Sequence, residues 1–470
     1  MRDLLLKLDT SPGLGRRDAV ERALRGAIRS GQLREGTRLP STRSLAEDLG
    51  LARATVVGAY EQLVAEGYLL ARHGAGTVVG AVNQPSSMSV PPRRATDAAL
   101  RTDFIPGEPD RGSFPRRPWL TAMNHVLRVS PDELFGYGDT RGHHELRSSL
   151  SDYLARTRAV DIEPGRVSIF GGFTNALSFV AETFRSGGLN RIGIEDPGMP
   201  FHRRVLAGAG LTVVPIPVDG EGISVDRLEA ERLNAVLVTP AHEYPLGMAM
   251  SSKRRAALLS WARRSRGWII EDDYDGEFRY DRQPIGALQG LGGDRVIYAG
   301  TVSKSLAAGL RIGWLVLPPD LVDPVAEVKG RRGGVSNLDQ ATLARFIDSG
   351  GLDRHVARMR RVYRHRQERL IDSLRSGAPW LDVTGIAAGL HLTAYLPGDG
   401  MREYDLVDFA SGRSLALWGL GRHRFASDDP GSGSEREGMV LGFSRSTDQG
   451  FPAAVEHLVA VLRAAAELKR

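Results

Sequence analysis

Apolar positions along the first eighty residues follow helical spacing. Val20, Ala23, Leu24, Ala27 and Ile28 recur at i, i+3, i+4, i+7 and i+8, which predicts an amphipathic helix with one buried stripe, stopped by Ser30-Gly31. Leu39-Pro40-Ser41 opens a second helix, with Ser41 as its N-cap and Leu45 and Leu49 inward. After a turn at Gly50, the stretch from Arg53 to Glu66 carries Val56, Tyr60, Leu63 and Val64 on one face. Leu69, Leu70 and Thr77 to Val79 then read as two short strands around the basic, glycine-rich Arg72-His-Gly-Ala-Gly76. Two helices joined by a short glycine turn predict a helix-turn-helix, whose second helix enters the major groove of DNA by its N-terminal residues. Arg53 and Thr55 occupy that place, Arg43 at the start of the preceding helix suits a phosphate contact, and Arg72 and Gly76 belong to the wing. Ala52 cannot cap the helix that Arg53 begins. Since a cap contributes about 1 kcal/mol, that helix start must be held another way.

Beyond residue 80 the pattern changes. Residues 81–102, rich in Pro and Ser from Asn83 to Arg94 and without helical period, read as an extended, semi-flexible linker. Short apolar runs then alternate with helical stretches: Val167–Phe170, Ile192–Ile194, Val213–Ile216, Ala235–Val238, Trp268–Ile270 and Val296–Tyr298. Strands alternating with helices predict an α/β body over 103–470, with a mostly parallel central sheet covered on both faces. From about residue 325 an Arg-rich helix (His355 to Arg369) and short strands replace this rhythm, as expected of a smaller C-terminal α/β domain.

Composition narrows the reading. A chain of 470 residues exceeds one hydrophobic core, and the absence of cysteine excludes disulfides and thiolate metal sites. No run of eighteen apolar residues occurs, and Leu4 to Leu6 is too short for a signal core, so a soluble, cytoplasmic protein without membrane contact is expected. Residues 1–80 hold 12 Lys and Arg against 9 Asp and Glu, a net +3, half of the total +6 in a sixth of the chain. That density suits a DNA-facing head.

Candidate chemistry lies at two strand ends. Tyr298-Ala-Gly-Thr-Val-Ser303-Lys304-Ser305 runs from an apolar strand into a turn with one lysine between two serines, and Arg311 follows. A lysine amine becomes a nucleophile near neutral pH when desolvated and close to positive charge. Ser303, Ser305 and Arg311 are the groups that would hold a phosphate beside it. Thirty residues earlier, Trp268-Ile-Ile-Glu-Asp272-Asp273-Tyr274 places acids and a phenol where a strand ends, the end at which ligands collect in open α/β sheets. A pyridoxal phosphate ring needs a carboxylate at its pyridinium nitrogen and a donor at its ring oxygen. Asp272 and Tyr274 fit those roles, with Asp273 an alternative to Asp272. Gly172, Phe173, Thr174 and Asn175 follow another strand and open a helix, a natural phosphate cradle.

Four further stretches carry a resemblance: Phe104-Ile-Pro-Gly107-Glu-Pro-Asp110, Tyr137-Gly-Asp-Thr-Arg-Gly142, Glu195-Asp-Pro-Gly198 and Thr239-Pro-Ala-His242-Glu-Tyr-Pro245. With the lysine and acidic segments they resemble the fold-type-I aminotransferases, while the first eighty residues resemble the GntR-type winged helix-turn-helix. The whole is similar to the MocR-type regulators, in which an aminotransferase-like domain senses an effector for a DNA-binding head. The resemblance implies pyridoxal phosphate as a Schiff base on Lys304, a double-stranded DNA operator as partner, and a small amine, an amino acid or pyridoxal phosphate itself as effector. It also implies a homodimer in which Tyr137 reaches the neighbour's phosphate. The chain departs from the pattern in places. Met199 stands where a ring-stacking Tyr is usual, with Phe201 or Phe173 as other aromatic faces, and Phe173, Thr174 and Asn175 stand where Ser and Gln are usual. Tyr244 replaces an Asn, and Val440 replaces the Arg that grips a substrate carboxylate, with Arg445, Arg422 and Arg424 as possible substitutes. Weak or absent transamination follows from these departures, and the alternative reading is a catalytically active aminotransferase with an accessory DNA-binding head.

Overall fold

The computed structural model describes residues 8, 15–72, 76–81, 102–281, 285–332, 334–398, 400–425 and 436–467. It divides into two compact units, Met1–Thr96 and Asp97–Arg470.

In the first unit, helices α1 (Arg16–Arg29), α2 (Thr42–Leu49) and α3 (Arg53–Ala65) precede an antiparallel hairpin, β1 (Leu69–Arg72) and β2 (Gly76–Val79). Val20, Leu24, Leu45, Val56, Leu63 and Leu69 form its core, so the helical stripes and the inward side of the hairpin meet. Ser41 caps α2 by accepting from the Ser44 N–H at 3.1 Å. Gly50 ends that helix at φ 64°, a left-handed conformation glycine adopts without penalty. Ala52 makes no side-chain cap. The start of α3 is held instead by the Thr55 N–H donating to the Ala52 carbonyl (2.9 Å), and by the Tyr60 hydroxyl donating to Pro40 O (3.0 Å).

The second unit is built on an eight-stranded sheet: β3 (Val167–Phe170), β4 (Arg191–Asp196), β5 (Thr212–Asp219), β6 (Gly222–Ile223), β7 (Ala235–Val238), β8 (Trp268–Asp272), β9 (Val296–Thr301) and β10 (Gly313–Val316). Their order is β3-β10-β9-β8-β7-β4-β5-β6. Strands β9, β8, β7, β4 and β5 run parallel, and β10 is antiparallel to both neighbours. Alternation sends successive side chains to opposite faces. Ile297 and Ala299 pack with helix α4 (Phe173–Ser186), while Tyr298 packs on the other face with Trp314 and the helix His144–Arg158.

A second sheet, antiparallel and four-stranded, orders β11 (Asp382–Thr384), β12 (His391–Tyr395), β13 (Trp418–Gly419) and β14 (Gly438–Gly442) as β11-β12-β14-β13. Helices α5 (Gly351–Gly377) and α6 (Phe451–Glu467) cover it around Leu370, Leu374, Leu392, Leu441 and Leu458. The helix Pro319–Gly330, where the sequence pattern changes, still buries Leu321, Val325 and Val328 against the large sheet. No described helix is long and apolar enough to cross a membrane.

Candidate cofactor pocket and DNA-facing helix

Strands β4, β7, β8 and β9 all run parallel, so their C-terminal ends open on one side. There they enclose a cavity of about 230 Å³. Lys304, in the turn after β9, lines it together with Asp272 at the end of β8 and Tyr274 two residues on. Ser303, Arg311, Gly172, Phe173, Thr174 and Met199 line it as well. The structure thus gathers these residues on one cavity, whereas Ser305, Asn175 and Asp273, also pointed to by the sequence, do not line it.

The half-buried Lys304 amine donates to Gly107 O at 2.5 Å. Burial holds its pKa below the ordinary lysine value, while Asp272, Asp275 and Glu108 pull it back up. Asp272 is buried, and its carboxyl is raised well above the usual range, chiefly by burial, with Lys304 opposing. Its Oδ1 has no partner among the described residues, and its Oδ2 lies 3.9 Å from His202 Nε2. Asp273 turns away from the cavity. It pairs with buried Arg158 (2.6 and 2.8 Å) and accepts from the Tyr298 hydroxyl (2.7 Å), so of the two acids Asp272 is the one that lines the cavity.

At the other side of the cavity, α4 begins after Gly172, whose φ is 88°. A Cβ there would stand 3.6 Å from the Arg311 guanidinium, so that cation lies directly against the glycine and the helix start. Among the described residues Arg311 has no hydrogen-bond partner of its own. A helix N-terminus beside a planar cation is an anion site. Asn175 faces inward instead, its Oδ1 accepting from the Gly171 N–H at 3.0 Å.

Sequence reasoning missed His202 and His391, which also line the cavity. His202 stands edge-on to Phe173 (ring centroids 4.9 Å apart), and burial, then Lys304, push its pKa down to about 3. Its only local signal is a histidine one turn beyond Met199. His391 arrives from β12 in the small sheet, a contact no local pattern announces. Glu195 lines the wall too, and its Oε2 accepts from Thr239 N (3.0 Å) and Oγ1 (2.7 Å). Burial raises it to about 7. Tyr244 is buried at the wall, 4.9 Å from the His391 ring.

Of the arginines considered for a carboxylate, none lines the cavity. Arg445 binds Asp103 and lies 3.5 Å from Glu108. Arg422 stacks on Trp418 at 4.5 Å, and Arg424 donates to Arg436 O at 3.0 Å. Val440 is buried in β14, opposite Thr393 and Trp418.

In the first unit, Arg53 is exposed at the N-terminus of α3, with Thr55 half-buried beside it. Arg43 is exposed and pairs with equally exposed Glu47 at 3.2 Å. Gly76, at φ 84°, opens β2 opposite Arg72. Residues 73–75 and the Arg72 side chain lie outside the described residues. Arg38, unnoticed in the sequence, is exposed and lies against Gly76, its Nε 3.3 Å from where a Cβ would be. By contrast Arg25 is held bidentate by Glu66.

The body has the fold of the aminotransferases: the multiple substrate aminotransferase of Thermococcus profundus superposes with a TM-score of 0.70 at 23% identity, over 79% of this chain and 93% of that one. Residues 107–396 match the family model of aminotransferase class I and II, and residues 16–79 that of bacterial regulatory proteins of the gntR family. The chain is 34% identical over 462 residues to the probable rhizopine catabolism regulatory protein MocR of Rhizobium meliloti, covering 94% of this chain and 92% of that protein. It is 33% identical over 431 residues to the pyridoxine biosynthesis transcriptional regulator PdxR of Corynebacterium glutamicum, covering 89% and 90%. It belongs to the aminotransferase class I and II family and, within it, to the MocR-type regulators that carry a GntR head. It is a DNA-binding transcriptional regulator with an aminotransferase-like domain. The cofactor of that domain is pyridoxal phosphate, and the cavity fits it: an anion cradle at Gly172 and Arg311, a lysine, and a buried carboxylate whose Oδ1 has no partner among the described residues.

Proposed function

We propose that the body holds pyridoxal phosphate on Lys304 and that the regulator responds to pyridoxal phosphate itself or to a small amine or amino acid that displaces Lys304. The observation that carries this reading is the convergence of Lys304, Asp272 and Arg311 on one cavity. When bound, the cofactor supplies a carbonyl that takes up amines and a ring that withdraws electrons. Lys304 is the amine that anchors it, Asp272 faces the pyridine nitrogen, Tyr274 the ring oxygen, and Gly172 to Thr174 with Ser303 and Arg311 the phosphate. The relative named for pyridoxine biosynthesis lends weight to the cofactor as a signal.

Transamination is slow or absent in this reading. Arg311, committed to the phosphate, is the one arginine on the described cavity wall, and Met199 replaces an aromatic ring contact. Catalysis would need the substrate carboxylate anchored, since small misplacements cost about 10²-fold; sensing needs only different affinities for two conformations. A homodimer is supported by exposed Leu120, Leu127 and Val129 on the helix Arg116–Val129, followed by exposed Phe135 and fully exposed Tyr137, an apolar stretch suited to a second copy. Arg53 and Thr55 read base edges, Arg43 and Arg72 touch the backbone or minor groove, and the protein works in the cytoplasm. Gel-shift titration of an operator with and without pyridoxal phosphate and a panel of amines tests the reading. Operator affinity indifferent to all of them would refute it.

A further inference from the structure

Tyr274 reaches the cavity, but its hydroxyl is held from behind. The phenol donates to the carbonyl oxygen of His242 at 3.1 Å, and the phenol oxygen itself lies 3.1 Å from His242 Nδ1. Nδ1 is in turn 2.9 Å from Asp275 Oδ2, and both side chains are almost completely buried. A carboxylate only accepts, so Nδ1 carries a proton that it gives to Asp275 and shares with the phenol oxygen. One residue therefore grips the phenol twice, by a carbonyl acceptor and by an N–H donor whose direction Asp275 sets.

Space for this pair is reserved. Gly389 has φ 70°, and a Cβ on it would fall 1.9 Å from His242 Cε1 and 2.8 Å from Asp275 Oδ2. Neither His242 nor Asp275 lines the cavity, so neither touches what binds there. A buried acid hydrogen-bonded to an imidazole is costly compared with apolar packing and is weak evidence for stability. Its geometric product is the fixed phenol. His391 lies close, with ligand-capable atoms of His242, Asp275 and His391 all within 4.8 Å of one another. His391 Nε2 meets Pro245 O at 3.2 Å and His242 Nδ1 meets Asp275, so a hydrogen bond occupies one nitrogen of each ring, while His242 Nε2 has no partner among the described residues. Burial, then the Asp275 charge, keep the Tyr274 phenol protonated and able to donate.

We propose that His242 and Asp275 are positioning residues that fix the Tyr274 phenol at the wall where the ring of the bound cofactor lies. The role rests on the cofactor reading above. It is tested with full-length protein loaded with pyridoxal phosphate, by visible absorption and by titration of cofactor affinity. Tyr274→Phe defines the signature of losing the phenol. Asp275→Asn is expected to move the absorption maximum in the same direction and to weaken cofactor binding by about tenfold or less, the loss of one oriented hydrogen bond. The Tyr274→Phe, Asp275→Asn double variant should match Tyr274→Phe alone, because the acid acts through the phenol. His242→Gln serves as a second variant should Asp275→Asn fail to fold. A wild-type-like spectrum in Asp275→Asn, or additive effects in the double variant, would overturn the role. So would a wild-type spectrum that EDTA changes, which would put a cation at these residues. A wild-type protein with no Lys304-dependent band would overturn the cofactor reading and this role with it.

Discussion

Asp272 and Asp273 are adjacent at the end of β8 and point to opposite sides: Asp272 to the cavity with a carboxylate oxygen unpartnered among the described residues, Asp273 into a buried ion pair with Arg158. Strand alternation separates their tasks. Asp272→Asn is expected to leave folding intact and weaken cofactor binding with an altered absorption spectrum. Asp273→Asn strands a buried guanidinium, and breaking a buried pair costs about 3–5 kcal/mol. Thermal melts and cofactor titrations of both variants separate the two; a stable Asp273→Asn protein would contradict the assignment.

Burial sets the Lys304 amine below the ordinary lysine pKa. Between that lowered value and the unfolded one, the unfolded chain binds more protons, so this group's contribution to stability rises with pH across the window and is lost as pH falls through it. The free amine that captures the cofactor is present at correspondingly lower pH. The initial rate at which the visible band grows, on mixing apo-protein with pyridoxal phosphate, should rise with pH with a midpoint below about 10.4. A midpoint at the ordinary lysine value would show the amine to be solvated.

At the DNA face, Arg53 is exposed at the helix start with no protein partner among the described residues, whereas Arg43 is loosely paired with Glu47. Replacing Arg53 with Ala should cost about 1–3 kcal/mol of operator binding and relax sequence preference. Replacing Arg43 should weaken all sequences alike and reduce the salt slope by about one. Competition gel shifts at several salt concentrations distinguish them. Operator affinity unaffected by Arg53→Ala would move the recognition surface elsewhere.

Much of this site was legible because its signals are local. Ser303-Lys304-Ser305 and the acidic run after Trp268 lie at strand ends that apolar spacing marks, and strand ends of a parallel sheet must meet. The helix-turn-helix was legible for the same reason, down to the Ser41 cap. What stayed hidden depends on phase and distance. Spacing alone did not say whether Asp272 or Asp273 faces inward, since one residue of slip exchanges the faces. His391 and the Arg38 contact with Gly76 come from chain segments brought together only by tertiary packing. The missing Ala52 cap was plain in the sequence; its replacement, a bond from Tyr60 to Pro40 twenty residues back, was not.

The measurement closest to the central claim is the visible absorption spectrum of the full-length protein with pyridoxal phosphate, before and after borohydride, in wild type and in Lys304→Ala. The account predicts a visible band and a reduced, covalently trapped adduct in wild type, both lost in the variant while its melting temperature without cofactor stays close to wild type. The same band and adduct in Lys304→Ala would contradict it.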